Sequence, residues 1–292
     1  MKHRLISLVL TVCAAALAAP VALAEGPVAS DAVAPHYYVA LGDSLAEGDQ
    51  PSGDFDHGYA DQLYAALKSD DPTLQLENLS CGGETTSSMI SGELPWGGLG
   101  SRYFCGYRAD SAQLSHGSQL ADAVAFLRAH RAFVSLVTLD IGGNDASLCV
   151  YLLDQACLAD ATNEIDSNLP LILSALREAV GPEVPIVGMN FYNPFLVFWF
   201  GSPAAAEATN AMVVGQVNPT LERLYADASV PVADVEAAFS STDWTLVGGV
   251  PQNVGRICQW TWMCDAGDIH PNTVGYGGIA QAFLDSLTAQ AP

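Results

Sequence analysis

Short apolar runs alternate with amphipathic stretches along most of the chain, a pattern typical of α/β proteins. The runs predict strands at residues 37–41, 74–79, 133–141, 184–191 and 230–235. Helical periodicity predicts helices at residues 59–68, 118–130, 164–180, 204–227 and 273–287. Because the two alternate, we expect one three-layer α/β/α domain with a central parallel sheet and a ligand site at the carboxyl ends of its strands. Long loops are expected at residues 92–111 and 240–267.

The first 24 residues have the pattern of a secretory signal peptide. A basic start at residues 2–4 precedes an apolar run at 5–17, and Ala22-Leu23-Ala24 matches a small-x-small cleavage site. A membrane anchor fits less well, because a span needs about 20 apolar residues. A lipid-modified Cys13 also fits less well, because the residue before it is not small. We therefore expect cleavage near Ala24, secretion, and a mature domain at residues 25–292.

The composition narrows the class of partner. Of the 292 residues, 50% are hydrophobic and 14% are charged, which excludes a disordered chain. The 10 Lys and Arg stand against 32 Asp and Glu, a net charge of −22. Such a surface repels phosphates, so we expect no nucleic-acid partner. The same charge opposes electrostatic docking on anionic lipid but permits hydrophobic contact with a lipid surface.

Removal of the signal peptide leaves an even number of cysteines, which in an exported chain predicts disulfides. These residues are Cys81, Cys105, Cys149, Cys157, Cys258 and Cys264. The count alone leaves the pairing open. Close spacing favours Cys149–Cys157 and Cys258–Cys264, and Cys81–Cys105 would then close the Gly-rich segment between them. A zinc site is the alternative, which the absence of a C-x-x-C motif disfavours.

Three polar motifs lie where the strands of such a sheet would converge. GDSL at residues 42–45 follows the first strand, GGND at 142–145 follows the third, and DIHP at 268–271 precedes the last helix. Each has an ordinary structural explanation, since serine caps helices and asparagine forms turns. Their combination and order are more informative than any one of them.

Together the motifs resemble those of the SGNH hydrolases, also called GDSL-type esterases and lipases. Four blocks match in order: GDSL at 42–45, CGGET at 81–85, GGND at 142–145 and HPN at 270–272. The resemblance spans nearly the whole mature chain, and the expected cysteine pairs are similar to those of the family's secreted, disulfide-bonded branch. It implies a flavodoxin-like fold and hydrolysis of carboxylic esters by a serine nucleophile.

The resemblance assigns a role to each matching residue. Ser44 would be the nucleophile, and His270 would be the base that accepts its proton. The backbone N–H groups of Ser44 and Gly83 and the side-chain amide of Asn144 would stabilise the oxyanion. Gly82 competes with Gly83, which we prefer because the two residues after it match the block.

The acid of the triad departs from the family pattern. The family places it three residues before the histidine, where this chain has Gly267. Asp268 lies two residues before His270 and Asp265 lies five before it. We expect Asp268 to orient His270. The alternative is a main-chain carbonyl in that position and a catalytic dyad.

The most aromatic stretch, residues 191–200, follows the fourth predicted strand at the edge where the site is expected. Buried packing is the ordinary explanation for such residues. The number of rings and the Asn-Pro break favour an acyl pocket or a patch that contacts lipid. The residues expected to form it are Phe195, Phe198 and Trp199. Three tryptophans near the His loop could instead stack on sugar rings: Trp244, Trp260 and Trp262.

These observations predict a secreted, monomeric serine hydrolase that cleaves a small-molecule or lipid ester through an acyl-enzyme. A carbohydrate O-deacetylase, a transacylase and a catalytically silent glycan-binding protein are the alternatives, and the intact Ser, Gly, Asn and His set disfavours the last. The G-x-S-x-G elbow of α/β-hydrolases does not occur in the sequence. Nucleotide- and metal-binding motifs do not occur either, so we expect no cofactor and no metal.

Overall fold

The structure, a computed structural model that describes residues 34–93 and 117–289, is built around a five-stranded parallel sheet. Its strands are β1 (Tyr37–Gly42), β2 (Gln75–Asn78), β3 (Val134–Asp140), β4 (Ile186–Met189) and β5 (Val232–Ala233). They lie in the order β2-β1-β3-β4-β5, and all neighbours are parallel. Strands β6 (Leu246–Val247) and β7 (Val250–Pro251) form a separate antiparallel hairpin. The parallel sheet predicted from the apolar runs is confirmed.

Helices cover both faces of this sheet. They are α1 (Ser44–Glu47), α2 (Tyr59–Lys68), α3 (Thr86–Ser91), α4 (Gln119–Ala129), α5 (Gly143–Leu152), α6 (Gln155–Val180), α7 (Pro203–Met212), α8 (Asn218–Asp227), α9 (Val235–Ala238), α10 (Gln252–Trp260), α11 (Met263–Ala266) and α12 (Thr273–Thr288). A 3₁₀ helix spans Pro194–Phe200, and a π-helical turn at Val213–Val217 joins α7 to α8. Helix α2 packs against α12 in one layer, and α4, α6 and α8 form the other. The fold is therefore the expected three-layer α/β/α domain.

The burial of the central strands explains their apolar sequences. Strand β4 is buried along its whole length, and β1 and β3 are each buried except at one residue near their amino ends. Strands covered on both faces need apolar side chains at nearly every position rather than at alternate ones. This is why continuous apolar runs, and not alternating patterns, predict these strands.

Two predicted helices differ from those observed. Helix α6 begins at Gln155, nine residues before its predicted start, because the Asp154 side chain accepts hydrogen bonds from the Ala156 and Cys157 backbone N–H groups at 3.0 Å. The helix predicted at 204–227 is helical throughout, but its middle widens into the π turn.

The long loop expected at 240–267 is wrong, because this segment contains the β6–β7 hairpin and helices α10 and α11. Helix α10 is amphipathic and buries Val254 and Ile257 at helical spacing, so its sequence does carry a helical signal. The disulfide Cys258–Cys264 joins α10 to α11. Most of the other expected loop, at 92–111, lies outside the described residues.

A second disulfide joins Cys149 at the end of α5 to Cys157 in the first turn of α6. Both disulfides are among the pairs that the spacing predicts. Cys105, and with it the predicted Cys81–Cys105 pair, lies outside the described residues, as does the predicted signal peptide at 1–24. Among the helices that the structure describes, none has the length and apolar character needed to cross a bilayer.

Candidate active site

Ser44 lies at the carboxyl end of β1, directly after the turn that ends the strand. Asp43 is the N-cap of helix α1, and its Oδ1 accepts the Leu45 backbone N–H at 2.9 Å. Ser44 is therefore the first residue of the helix. Strand β1 lies between β2 and β3, where the strand order reverses, and such reversals open a crevice at the carboxyl edge of a parallel sheet.

Glycine is required at position 42 to bring β1 and β3 together at this edge. Gly42 has a φ of 136°, and a Cβ placed on it would lie 2.1 Å from the backbone oxygen of Asp140. Any side chain here would push the end of β1 away from β3. The glycine that precedes Asp43 and Ser44 thus has a packing reason as well as a conformational one.

The loop before α12 places His270 against Ser44. The distance from Ser44 Oγ to His270 Nε2 is 2.8 Å, and the distance from His270 Nδ1 to Asp268 Oδ1 is also 2.8 Å. Asp268 Oδ1 also accepts the His270 backbone N–H at 2.8 Å. Asp265 is exposed. A carboxylate two residues before the histidine therefore reaches its ring, and the same carboxylate also accepts a hydrogen bond from the histidine backbone.

A second carboxylate faces the other side of the imidazole. Asp49 Oδ2 lies 3.9 Å from His270 Nε2, and the hydroxyl of Tyr276 in α12 donates to the Asp49 backbone oxygen at 2.7 Å. Burial alone lowers the pKa of His270, but the bond to Asp268 and the charge of Asp49 together raise that pKa above its ordinary value. The sequence motifs did not identify Asp49 as part of this site.

Asn144 lies in the first turn of α5, shortly after β3, and lines the same cavity as Ser44. Its amide nitrogen donates to Asp43 Oδ2 and to the Glu84 backbone oxygen, both at 3.0 Å. Gly83 has a φ of 77°, and a Cβ placed on it would contact nothing within 4 Å, so its surroundings are open. Within the described residues, neither the Ser44 N–H nor the Gly83 N–H donates to another protein group. These donors are available to a ligand.

Buried carboxyl groups lie behind these residues, a feature that the sequence did not reveal. Burial raises the pKa of Glu84 to about 7 and that of Asp145 to about 6. Burial and the neighbouring Asp43 carboxylate raise the pKa of Asp140 well above its ordinary value, and Asp140 accepts the Tyr59 hydroxyl at 2.7 Å. Glu84 and Asp145 belong to motif blocks, but nothing in the blocks marks them as buried.

A cavity of about 600 Å³, counting its open mouth, begins at Ser44 and His270. Of the three residues expected to form a substrate pocket, Phe195 lines this cavity, whereas Phe198 and Trp199 do not. In a 3₁₀ helix, side chains three apart lie on one face. Phe198 therefore follows Phe195 one turn farther along and contacts the ring of Tyr151. The three tryptophans near the His loop are not among the described residues that line the cavity.

The family model of the GDSL-like lipase/acylhydrolase family matches residues 40–277. The chain belongs to this family. The match includes all four sequence blocks, and with them Ser44, Asp268 and His270. Membership in the GDSL-like family identifies the protein as a hydrolase.

Solved structures with the same fold include a lipase and an acetylxylan esterase. A lipase from a goat rumen metagenome is 18% identical, with a TM-score of 0.53 over 86% of this chain and 97% of that one. An acetylxylan esterase from Geobacillus stearothermophilus is 15% identical, with a TM-score of 0.53 over 87% of this chain and 94% of that one. At this level of identity the likeness shows the fold alone. Comparison with curated proteins finds no match.

Proposed function

We propose that the protein hydrolyses carboxylic esters through a covalent acyl-enzyme on Ser44. The observation that carries the proposal is the continuous chain of contacts from Ser44 Oγ through His270 to Asp268, with 2.8 Å at each step. A serine hydroxyl is a weak nucleophile unless a base accepts its proton during attack, and His270 is within hydrogen-bond distance to do so. The open cavity at the same atoms gives a substrate access.

In the acylation half, Ser44 Oγ attacks the ester carbonyl carbon while its proton passes to His270 Nε2. The carbonyl oxygen becomes an oxyanion in the tetrahedral intermediate. When the intermediate collapses, the bond to the alcohol oxygen breaks, and His270 returns the proton to the departing alcohol. Asp268 holds the Nδ1 proton in place and stabilises the imidazolium that forms between these two transfers.

In the deacylation half, a water molecule takes the place of the alcohol. His270 Nε2 accepts a proton from the water as its oxygen attacks the acyl carbon. Collapse of the second intermediate breaks the bond to Ser44 Oγ, which takes the proton back from His270. The products are a carboxylic acid and the free enzyme, so the cycle consumes one water and needs no external oxidant, reductant or metal.

The proposed oxyanion donors are the Ser44 and Gly83 backbone N–H groups and the Asn144 side-chain amide. The Ser44 and Gly83 N–H groups donate to no other described group, so both can donate hydrogen bonds directly to the oxyanion. Both hydrogens of the Asn144 amide already have protein acceptors, Asp43 Oδ2 and Glu84 O. Asn144 would therefore exchange one of these acceptors for the oxyanion when substrate binds.

We also propose that this chemistry takes place outside the cell. The predicted signal peptide at 1–24 and the two disulfides support this proposal, because disulfides persist in oxidising compartments.

The test is release of p-nitrophenol from p-nitrophenyl butyrate by the mature, oxidised protein. We expect Ser44→Ala to lower kcat at least about 10⁴-fold, because the nucleophile is lost. Ser135→Ala is the matched control, since Ser135 is exposed at the amino end of β3, opposite the site. A serine-directed phosphonate should add mass to the peptide that contains Ser44 and to none in the variant. Equal activity of wild type and Ser44→Ala would overturn the assignment.

A further inference from the structure

The cavity beside Ser44 is polar at one end and apolar beyond it. Its polar residues cluster around the Ser44–His270 contact and Asn144. From Asn144 the cavity follows one face of helix α5, where Ala146, Ser147 and Val150 line it at helical spacing. An apolar wall that leads away from the reacting atoms is suited to a hydrocarbon chain rather than to a sugar.

The wall of the cavity also includes two residues of the π-helical turn, Val213 and Val217. Within this turn these are the two buried residues, with 6% and 2% of their surface exposed, whereas Val214, Gly215 and Gln216 face outward to different degrees. Turns of π-helix are rare and occur often at functional sites. Here the turn aims two branched side chains at the same cavity.

The position of His270 decides which part of an ester occupies this cavity. His270 must return its proton to the departing alcohol, so the alcohol lies on the side of Nε2. Asp49 borders Nε2, and its side chain is 39% exposed, so this side is polar and open to solvent. The apolar cavity follows α5 from Asn144 instead. The acyl portion of the ester is therefore the part that enters it.

We propose that this cavity binds the acyl chain and that Val213 and Val217 determine its accepted length, so that the substrates are esters of unbranched aliphatic acids longer than acetate. The proposal rests on ester hydrolysis at Ser44. Each methylene that enters an apolar cavity strengthens binding by about fourfold. A wild-type preference for octanoate over acetate esters is the direct expectation.

The test compares kcat/KM for p-nitrophenyl acetate, butyrate, octanoate and decanoate. Val213→Trp and Val217→Trp fill the cavity, so the octanoate-to-acetate ratio should fall by about tenfold or more. Val214→Trp places the same side chain in the same turn but outside the cavity, and should leave the ratio unchanged. Because a buried tryptophan can disturb folding, Val213→Ala and Val217→Ala test the opposite change. They should raise the decanoate-to-octanoate ratio.

The outcomes separate this inference from the proposed function. Unchanged ratios in both the Trp and the Ala variants would place the acyl chain elsewhere and overturn the inference alone. A wild type that cleaves the acetate ester and none of the esters with longer acyl chains would also overturn the inference. That result would favour a deacetylase. A folded wild type that cleaves none of the esters and does not react with the phosphonate at Ser44 would refute the proposed function, and the inference with it.

Discussion

Replacing Glu84 by glutamine should remove a loss of folding stability that the wild-type protein suffers as the pH rises. Glu84 is fully buried, its carboxylate accepts hydrogen bonds from the Ser88 hydroxyl and from Gln119 Nε2, and burial raises its pKa to about 7. Gln119 also pairs with both backbone polar groups of Gly42, at 2.7 and 2.8 Å. Glutamine keeps the size and can keep both partners, donating to Ser88 and accepting from Gln119.

The size and sign of the effect follow from the two pKa values. The pKa rises from 4.5 in the unfolded chain to about 7 in the folded one, a difference worth about 3 kcal/mol. Between these values the folded state holds the proton more tightly than the unfolded state does. The free energy of unfolding therefore falls as the pH rises. The contribution of Glu84 is fully present below pH 4.5 and is lost as the pH rises through about 7.

Urea unfolding under non-reducing conditions, at several pH values from about 4 to 8, measures this directly. Other buried carboxyl groups titrate too. The informative quantity is therefore the difference in the free energy of unfolding between wild type and Glu84→Gln, followed as a function of pH. We expect the variant to gain about 3 kcal/mol relative to wild type over this range. Glu207→Gln, which removes an exposed carboxylate, is the matched control. If the free energy of unfolding changed with pH in the same way for wild type and Glu84→Gln, the reasoning would be refuted.

Two further predictions concern the groups around His270. Asp268→Asn should lower kcat by about 10⁴-fold, because the ring loses the acceptor that orients it. Asp265→Asn, which changes an exposed carboxylate, is the control. Near wild-type activity of Asp268→Asn would contradict the role of Asp268 in orienting the ring. Asp49→Asn should move the acid limb of the pH–kcat/KM profile to lower pH, because the Asp49 charge raises the pKa of His270. An unmoved limb in a full pH–rate measurement would show that Asp49 has no influence on the base.

The residues that meet at the site could be predicted because each follows a strong local signal. The apolar run of β1 ends at Gly42, and Ser44 lies two residues later. Asn144 follows β3 in the same way. The carboxyl ends of neighbouring parallel strands share one edge, so the two side chains must meet. The spacing of Asp268 departs from the family pattern, and only the structure shows that its carboxylate accepts from the His270 backbone N–H and also reaches Nδ1 of the ring.

The cavity could not be predicted, because it depends on how separate elements pack. Val213 and Val217 lie four residues apart in a long helical pattern and are no different, in sequence, from any pair on a core-facing stripe. The π turn that aims them at Ser44 has no local signature in the sequence. Phe198 illustrates the reverse case, since its aromatic character suggested the pocket but it lies one turn beyond Phe195 and packs on the Tyr151 ring.

Because the chain is synthesised from its amino end, the proposed nucleophile is made long before its base. This order limits when the protein can become active. The proposed nucleophile and base are separated by 226 residues, whereas Asp268 and His270 are separated by two. The acid–base pair can therefore form within its own loop, but that loop follows every strand in the chain, so its contact with Ser44 joins residues near the two ends of the domain. Such distant contacts form late in folding. A chain interrupted during synthesis, or cut before residue 268, keeps its serine but has no base to activate it.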